Sequence, residues 1–69
     1  MKVRCVYGVV KEIVFEEEKK VILIKSPAFP EVAEKLREYY KQQGYDVYIL
    51  NTGVDHEYEE AERLLEQYC

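Results

Sequence analysis

The segment from Lys20 to Asn51 constrains the fold most, because it has the pattern of two strands joined by a helix. Its apolar run Val21–Ile24 is followed by a proline-containing loop, an amphipathic stretch and a second apolar run, Asp46–Leu50. A short run that is apolar on both faces is typical of an inner strand covered on both sides. Two such strands joined by one helix are expected to be parallel, with a right-handed crossover.

The amphipathic stretch between these strands predicts a helix that begins at Pro30 and runs to about Gln43. Proline suits the first helical turn because its missing N–H is not needed there, and Gly44 is a typical C-terminal stop. A second helix is predicted from about Asp55 to Tyr68. Its first turn is acidic, which the helix dipole favours.

Residues 2–15 are rich in β-branched side chains, and they predict one long strand with a bend or bulge at Gly8. The polar residues 16–19 then close a hairpin onto the next strand. The predicted fold class is therefore α/β with the element order ββαβα, in an α+β-like two-layer arrangement. It comprises a small mixed three-stranded sheet with an N-terminal β-hairpin, one right-handed βαβ crossover and a C-terminal helix. We expect residues 1–69 to form a single domain.

Composition excludes several classes of protein. Hydrophobic residues make up 48% and charged residues 35% of the chain, which is typical of a globular domain. A membrane span needs about 20 apolar residues, and no apolar run approaches that length. The N-terminus also lacks the apolar core of a secretory signal, so we expect a cytoplasmic protein. The abundance of charged residues is typical of thermophilic proteins and equally of idealised designed sequences.

The two cysteines, Cys5 and Cys69, lie far apart in the sequence and outside any CxxC pair. In a cytosolic chain this pattern favours free thiols. The predicted topology places Cys5 near the carboxyl end of the parallel strands and Cys69 near their amino end. Because a disulfide needs Cα atoms within about 7 Å of each other, we expect no intrachain disulfide unless the chain reverses at Gly8.

Charge is spread unevenly along the chain. Residues 1–54 carry nine basic and eight acidic groups, whereas residues 55–69 carry one basic and six acidic groups. Because this acidic C-terminal element repels a phosphate backbone, we do not expect nucleic acid as a partner. A solvated helix face is the simplest explanation, and the alternative is a docking surface for a basic protein at Glu59, Glu62 and Glu66.

The carboxyl edge of the two parallel strands is the candidate ligand site. Ligands of open α/β sheets bind at this edge, and the N–H groups of the helix N-termini there attract anions. The sequence therefore predicts a site for a small anion or phosphate-bearing ligand. The simpler alternative is that the polar residues cap helices and turn the chain. The residues concerned are Ser26, Asn51, Thr52, Gly53, Asp55 and His56.

His56 is the one candidate general base in the chain. Its neighbours Asp55 and Glu57 do not face it on a helix, because adjacent helical residues point in different directions. No nucleophile motif and no metal-ligand spacing accompanies it. We therefore expect a protein that is not an enzyme, with no catalytic residue, metal or cofactor.

The apolar strands offer more surface than two short helices can cover on both faces of the sheet. Monomers rarely expose apolar patches of more than a few hundred Å², so we expect a homodimer formed through the sheet or the first strand. The leading hypothesis is a small acidic interaction or scaffold module that self-associates, and the alternative is the anion site. The residues expected at the interface are Val3, Cys5, Tyr7, Val9 and Tyr48.

Overall fold

Four strands and two helices form the fold in the computed structural model, which describes residues 2–69. The mixed α/β class is confirmed, but the described chain has one strand more than the sequence predicts. The elements in chain order are β1 (Val3–Val6), β2 (Lys11–Phe15), β3 (Lys20–Lys25), α1 (Pro30–Gln42), β4 (Asp46–Asn51) and α2 (Asp55–Tyr68).

The strands form one mixed sheet in the order β1-β2-β3-β4. β2 is antiparallel to both of its neighbours, whereas β4 pairs parallel to β3, as expected for two strands joined by one helix. Across the centre of the sheet, Ile13 lies beside Ile22 and Ile22 lies beside Tyr48. β3 is therefore an inner strand, and β4 forms one edge of the sheet.

The predicted first strand is in fact two strands, β1 and β2, joined by a loop at residues 7–10. Val6 pairs with Glu12 and Val3 with Phe15, so the chain reverses next to Gly8. A single strand of this length would extend well past the six residues of β3 and leave backbone N–H and C=O groups without partners. Folding back allows the two halves to pair with each other.

The two helices lie on opposite faces of the sheet, so the protein has three layers and the predicted two-layer arrangement is wrong. Val14, Val21 and Leu23 point to one face and pack with Ala33 and Tyr40 of α1. The other face of the same strands is covered by α2, through a cluster of Ile13, Phe15, Ile22, Ile24 and Ala61. Because β3 is apolar on both sides, one helix on each face buries its central residues Val21–Ile24.

Coverage becomes incomplete at the β4 edge and on the outer sides of the helices. Val47, Ile49 and Leu50 are half-buried, and Tyr48 remains 54% exposed. On α1, Tyr40 is buried, but its neighbour Tyr39 is 56% exposed. A narrow sheet contacts each helix along a thin stripe, so residues at the margins of the predicted apolar faces meet water.

A disulfide joins Cys5 to Cys69, and neither cysteine is free. Their Cα atoms are 6.2 Å apart. The prediction of free thiols is therefore wrong, because the reversal at residues 7–10 makes β1 run in the same direction as β3. Cys5 thus lies at the amino half of the parallel strands, where α2 ends. Tyr68 packs edge-on against Phe15 at the same end, with ring centroids 4.9 Å apart.

Candidate functional site

The two βα loops meet at the carboxyl edge of β3 and β4, as the sequence predicts. Thr52 donates hydrogen bonds to the carbonyl oxygen of Lys25 from its backbone N–H (2.8 Å) and from its hydroxyl (3.2 Å). A Cβ atom at Gly53 would lie 2.6 Å from Cγ of Pro27. The loops are packed so closely that only glycine fits at this position.

Several of the predicted polar residues serve the loop itself. The side-chain oxygen of Asn51 accepts a hydrogen bond from the N–H of Gly53 (2.8 Å), and the N–H of Asn51 donates to Oε1 of Glu57 (2.8 Å). α2 begins after Val54, and no side chain caps it, so neither Thr52 nor Asp55 acts as a helix cap. Polar residues of this loop therefore stabilise a turn by satisfying its backbone groups.

A cavity of about 300 Å³ opens between this edge, the β1–β2 loop and α2. Ser26 and Thr52 contribute to its lining, whereas the other predicted residues do not. Asp55 and His56 are exposed outside it. The lining also includes Lys11 and Lys25, which the sequence analysis missed. The end of β3 was the available signal for Lys25, whereas Lys11 reaches this edge only because the chain reverses near Gly8.

The outer edge of β4 is the second candidate site. Asp46 donates its backbone N–H to the carbonyl oxygen of Lys19, directly before β3 (2.9 Å), and Thr52 donates to that of Lys25, at the end of β3 (2.8 Å). Because backbone groups alternate in direction along a strand, the intervening odd-numbered residues turn their N–H and C=O groups away from β3. These residues are Val47, Ile49 and Asn51.

Of these outward residues, Asn51 is already engaged. Its N–H donates to Glu57, and its carbonyl oxygen accepts from the N–H of Val54 (3.1 Å). Within residues 2–69, the outward backbone groups of Val47 and Ile49 have no hydrogen-bond partner. The unsatisfied part of the edge is therefore short, and Tyr48 lies at its centre.

An apolar groove adjoins this edge on the side of the sheet that α2 covers. It has a volume of about 330 Å³, and the exposed ring of Tyr48 forms part of its wall. Residues of β3, β4 and α2 line it: Lys20, Ile22, Tyr48, Leu50, Glu60 and Leu64. The groove marks the place where α2 stops covering the sheet.

The other predicted interface residues do not share one surface. Val3 packs against the α2-side core, and Cys5 is held in the disulfide. Tyr7 (62% exposed) and Val9 (59% exposed) lie in the β1–β2 loop, far along the sheet from Tyr48. The acidic residues proposed as a docking surface are all exposed on α2, and one of them, Glu62, also lines the cavity.

A buried polar pair lies on the opposite side of the sheet, under α1. Glu12 is only 8% exposed, and Oε1 of Glu12 accepts a hydrogen bond from the hydroxyl of Tyr40. Burial, together with this hydrogen bond and the charge of Glu12, raises the pKa of Tyr40 to about 12. Glu12 falls on the same strand face as Val14, and the sequence analysis did not single it out. A glutamate on an otherwise apolar strand face was the available signal for a buried polar pair.

Comparison of the chain with protein-family models, curated proteins and solved structures gives no match. Within the part of the chain that the structure describes, no helix is both long enough and apolar enough to cross a membrane. Across the same residues, histidine, cysteine and carboxylate side chains nowhere gather in a group that could hold a metal ion. The cavity and the outer edge of β4 are therefore the two candidate functional sites of the described chain.

Proposed function

We propose that the protein is a small interaction module that self-associates through the outer edge of β4. The observation that carries this proposal is the pair of outward-facing residues Val47 and Ile49, whose backbone groups have no partner in the described chain, on either side of exposed Tyr48. Exposed strand edges of this kind pair readily with another chain. The partner in this proposal is a second copy of the same protein.

The arrangement of backbone groups is self-complementary. A twofold axis perpendicular to the sheet at Tyr48 brings two copies of β4 together as antiparallel strands. Val47 then exchanges both main-chain hydrogen bonds with Ile49 of the second copy, and Ile49 with Val47 of the second copy. The two Tyr48 side chains become a directly opposed pair with Cβ atoms about 4.5–5.5 Å apart, beside both apolar grooves.

The side chains of β4 favour this pairing. The strand contains neither lysine nor proline, the residues that commonly protect exposed edges. Asp46 would lie opposite Leu50 of the second copy, so no like charges face each other along the paired strands. The other edge strand, β1, is shorter and carries Arg4, with Lys2 directly before it.

The interface would be small, because a single strand edge buries less than the about 1,600 Å² of a standard protein interface. We therefore expect a reversible dimer with a dissociation constant of about 1–100 μM. Each copy carries a net charge of −4, so added salt should strengthen association by screening the repulsion between copies.

Sedimentation equilibrium of the wild-type protein and of the Tyr48→Asp variant tests this proposal. Tyr48→Asp places two carboxylates opposite each other, and we expect it to remain a monomer where the wild type dimerises. Tyr39→Asp is the matched control, because Tyr39 is about as exposed as Tyr48 but lies on α1. This variant should dimerise as the wild type does. A wild-type protein that stays monomeric at about 1 mM, or equal effects of the two substitutions, would refute the proposal.

The proposed role is non-enzymatic and independent of nucleic acid, metal and cofactor. A basic protein partner on the acidic face of α2, at Glu59, Glu62 and Glu66, is compatible with this scaffold role. The cytoplasmic location stays a prediction. Disulfides are rare in the cytosol of most organisms but common in intracellular proteins of hyperthermophiles, so the Cys5–Cys69 bridge fits that location best in a thermophilic host.

A further inference from the structure

We propose that the cavity at the carboxyl edge of the sheet binds a small organic monoanion with an apolar body. The cavity lies between the end of β3, the β1–β2 loop and α2. It includes neither Val47 nor Tyr48 nor Ile49, so this inference does not depend on self-association through β4.

The charged groups of the lining point to an anion. Lys11 and Lys25 contribute two ammonium groups, and Glu62 contributes one carboxylate, which leaves a single positive charge for the ligand to balance. Within residues 2–69 the ion pairs engage arginines, and neither of these lysines takes part in one. Nζ of Lys11 lies 5.9 Å from the centroid of the Tyr7 ring, which belongs to the β1–β2 loop beside the cavity.

Two hydroxyl groups supply complementary hydrogen bonding. The Ser26 oxygen accepts a hydrogen bond from the N–H of Ala28 (3.4 Å), so its own O–H is available to donate to a ligand oxygen. The Thr52 hydroxyl donates to the carbonyl oxygen of Lys25, so its oxygen remains able to accept. A carboxylate beside Ser26 would therefore meet one hydroxyl donor and the nearby ammonium groups.

The floor of the cavity is apolar, so it favours a ligand that has an apolar body as well as a negative charge. Ile24 and Ala61 are buried at its base, and Leu65 extends the same surface along α2. Val9 and Tyr58 are exposed and stand at its mouth. A volume of about 300 Å³ lies at the lower end of the range for ligand pockets, so a compound of about one ring fits best.

Titration of the protein with three probes, followed by amide NMR signals, tests this inference. Benzoate combines a ring with one negative charge, benzyl alcohol keeps the ring without the charge, and acetate keeps the charge without the ring. We expect benzoate to shift the signals of Ser26, Ala61 and Leu65 saturably and to bind at least about tenfold more tightly than either other probe. The absence of a saturable benzoate shift up to about 20 mM would overturn the proposal.

Substitutions test which charged side chains bind the anion. Lys11→Met and Lys25→Met keep the apolar stem of each side chain, and each should weaken benzoate binding by about tenfold. Glu62→Gln removes the opposing carboxylate and should tighten binding, whereas Lys41→Met on exposed α1 is the matched control and should leave it unchanged. Equal binding by the Lys11, Lys25 and Lys41 variants would contradict the site. Tyr48→Asp should bind benzoate normally, so failure of the dimer and failure of this site are separable.

Discussion

The hydroxyl of Tyr40 donates a hydrogen bond to the carboxyl group of Glu12 and thereby joins α1 to β2 through the core under that helix. Glu12 is the one acidic side chain buried among the described residues, and it shares its sheet face with apolar Val14 and Leu23 and with Arg4 at the edge. Tyr40 is fixed by its own packing, edge-on against Tyr45 with ring centroids 5.4 Å apart. The pair therefore adds a polar contact between α1 and β2 to the apolar packing of that face.

Replacement of Tyr40 by phenylalanine should destabilise the protein by about 1–3 kcal/mol, because it leaves the buried carboxyl group of Glu12 without its partner. Chemical denaturation at neutral pH measures this change in the free energy of unfolding. The double variant Glu12→Leu/Tyr40→Phe removes both polar groups and should recover part of the loss. Wild-type stability for Tyr40→Phe alone would show that the hydrogen bond contributes nothing.

Stability should also fall at high pH because of the same tyrosine. The pKa of Tyr40 is raised from 10 to about 12 in the folded protein, so the native state keeps the proton that the unfolded chain releases. The contribution of Tyr40 is fully present below pH 10 and is lost as the pH rises from 10 to 12. The free energy of unfolding, measured by denaturation and plotted against pH across this range, should fall more steeply for the wild type than for Tyr40→Phe. Parallel curves for the two proteins would contradict the assigned cause.

The disulfide between Cys5 and Cys69 closes nearly the whole chain, with a sequence separation of 64 residues. By the chain-entropy relation, loss of a disulfide that closes a loop of this length costs about 4 kcal/mol of stability. Reduction should therefore lower the denaturation midpoint strongly. The Cys5→Ala/Cys69→Ala variant should match the reduced wild type and be insensitive to reductant. A midpoint that reductant leaves unchanged would be inconsistent with the bridge.

The close packing of the two βα loops makes Gly53 a sensitive position. Gly53→Ala should cost about 1–3 kcal/mol, because the new Cβ would lie 2.6 Å from Cγ of Pro27 and force the loops apart. Gly8→Ala is the matched control, since the nearest atom to a Cβ there is 3.8 Å away. Thermal denaturation of both variants checks the difference, and equal melting temperatures would contradict the described contact.

The pattern of residues 20–51 predicted β3, α1 and β4 to within one or two residues, because each apolar run is bounded by prolines, glycine or charges. The reversal at Gly8 was not predictable from local pattern. Both β1 and β2 are rich in β-branched residues, and only pairing with a sheet of fixed length decides where such a chain must turn. The error about Cys5 and Cys69 followed directly from that missed turn.

The candidate sites, like the fold, were only partly predictable from the sequence. Convergence of Ser26 and Thr52 at one edge follows from the parallel pairing of β3 with β4, which the sequence predicted. Lys11 joins them only because β2 begins at that edge after the reversal. At the other site, the exposure of Tyr48 depends on how far each helix reaches across the sheet, and an amphipathic pattern contains no information about that distance.

Amide hydrogen exchange of β4, measured at several protein concentrations, tests the central proposal most directly. Val47 and Ile49 face outward, and pairing through β4 predicts that the exchange of their amides slows progressively as the protein concentration rises. The amide of Asn51 is an internal reference, because it already donates to Glu57 within one copy and should show less dependence on concentration. Exchange of Val47 and Ile49 at rates that stay constant from about 10 μM to 1 mM would contradict pairing through β4.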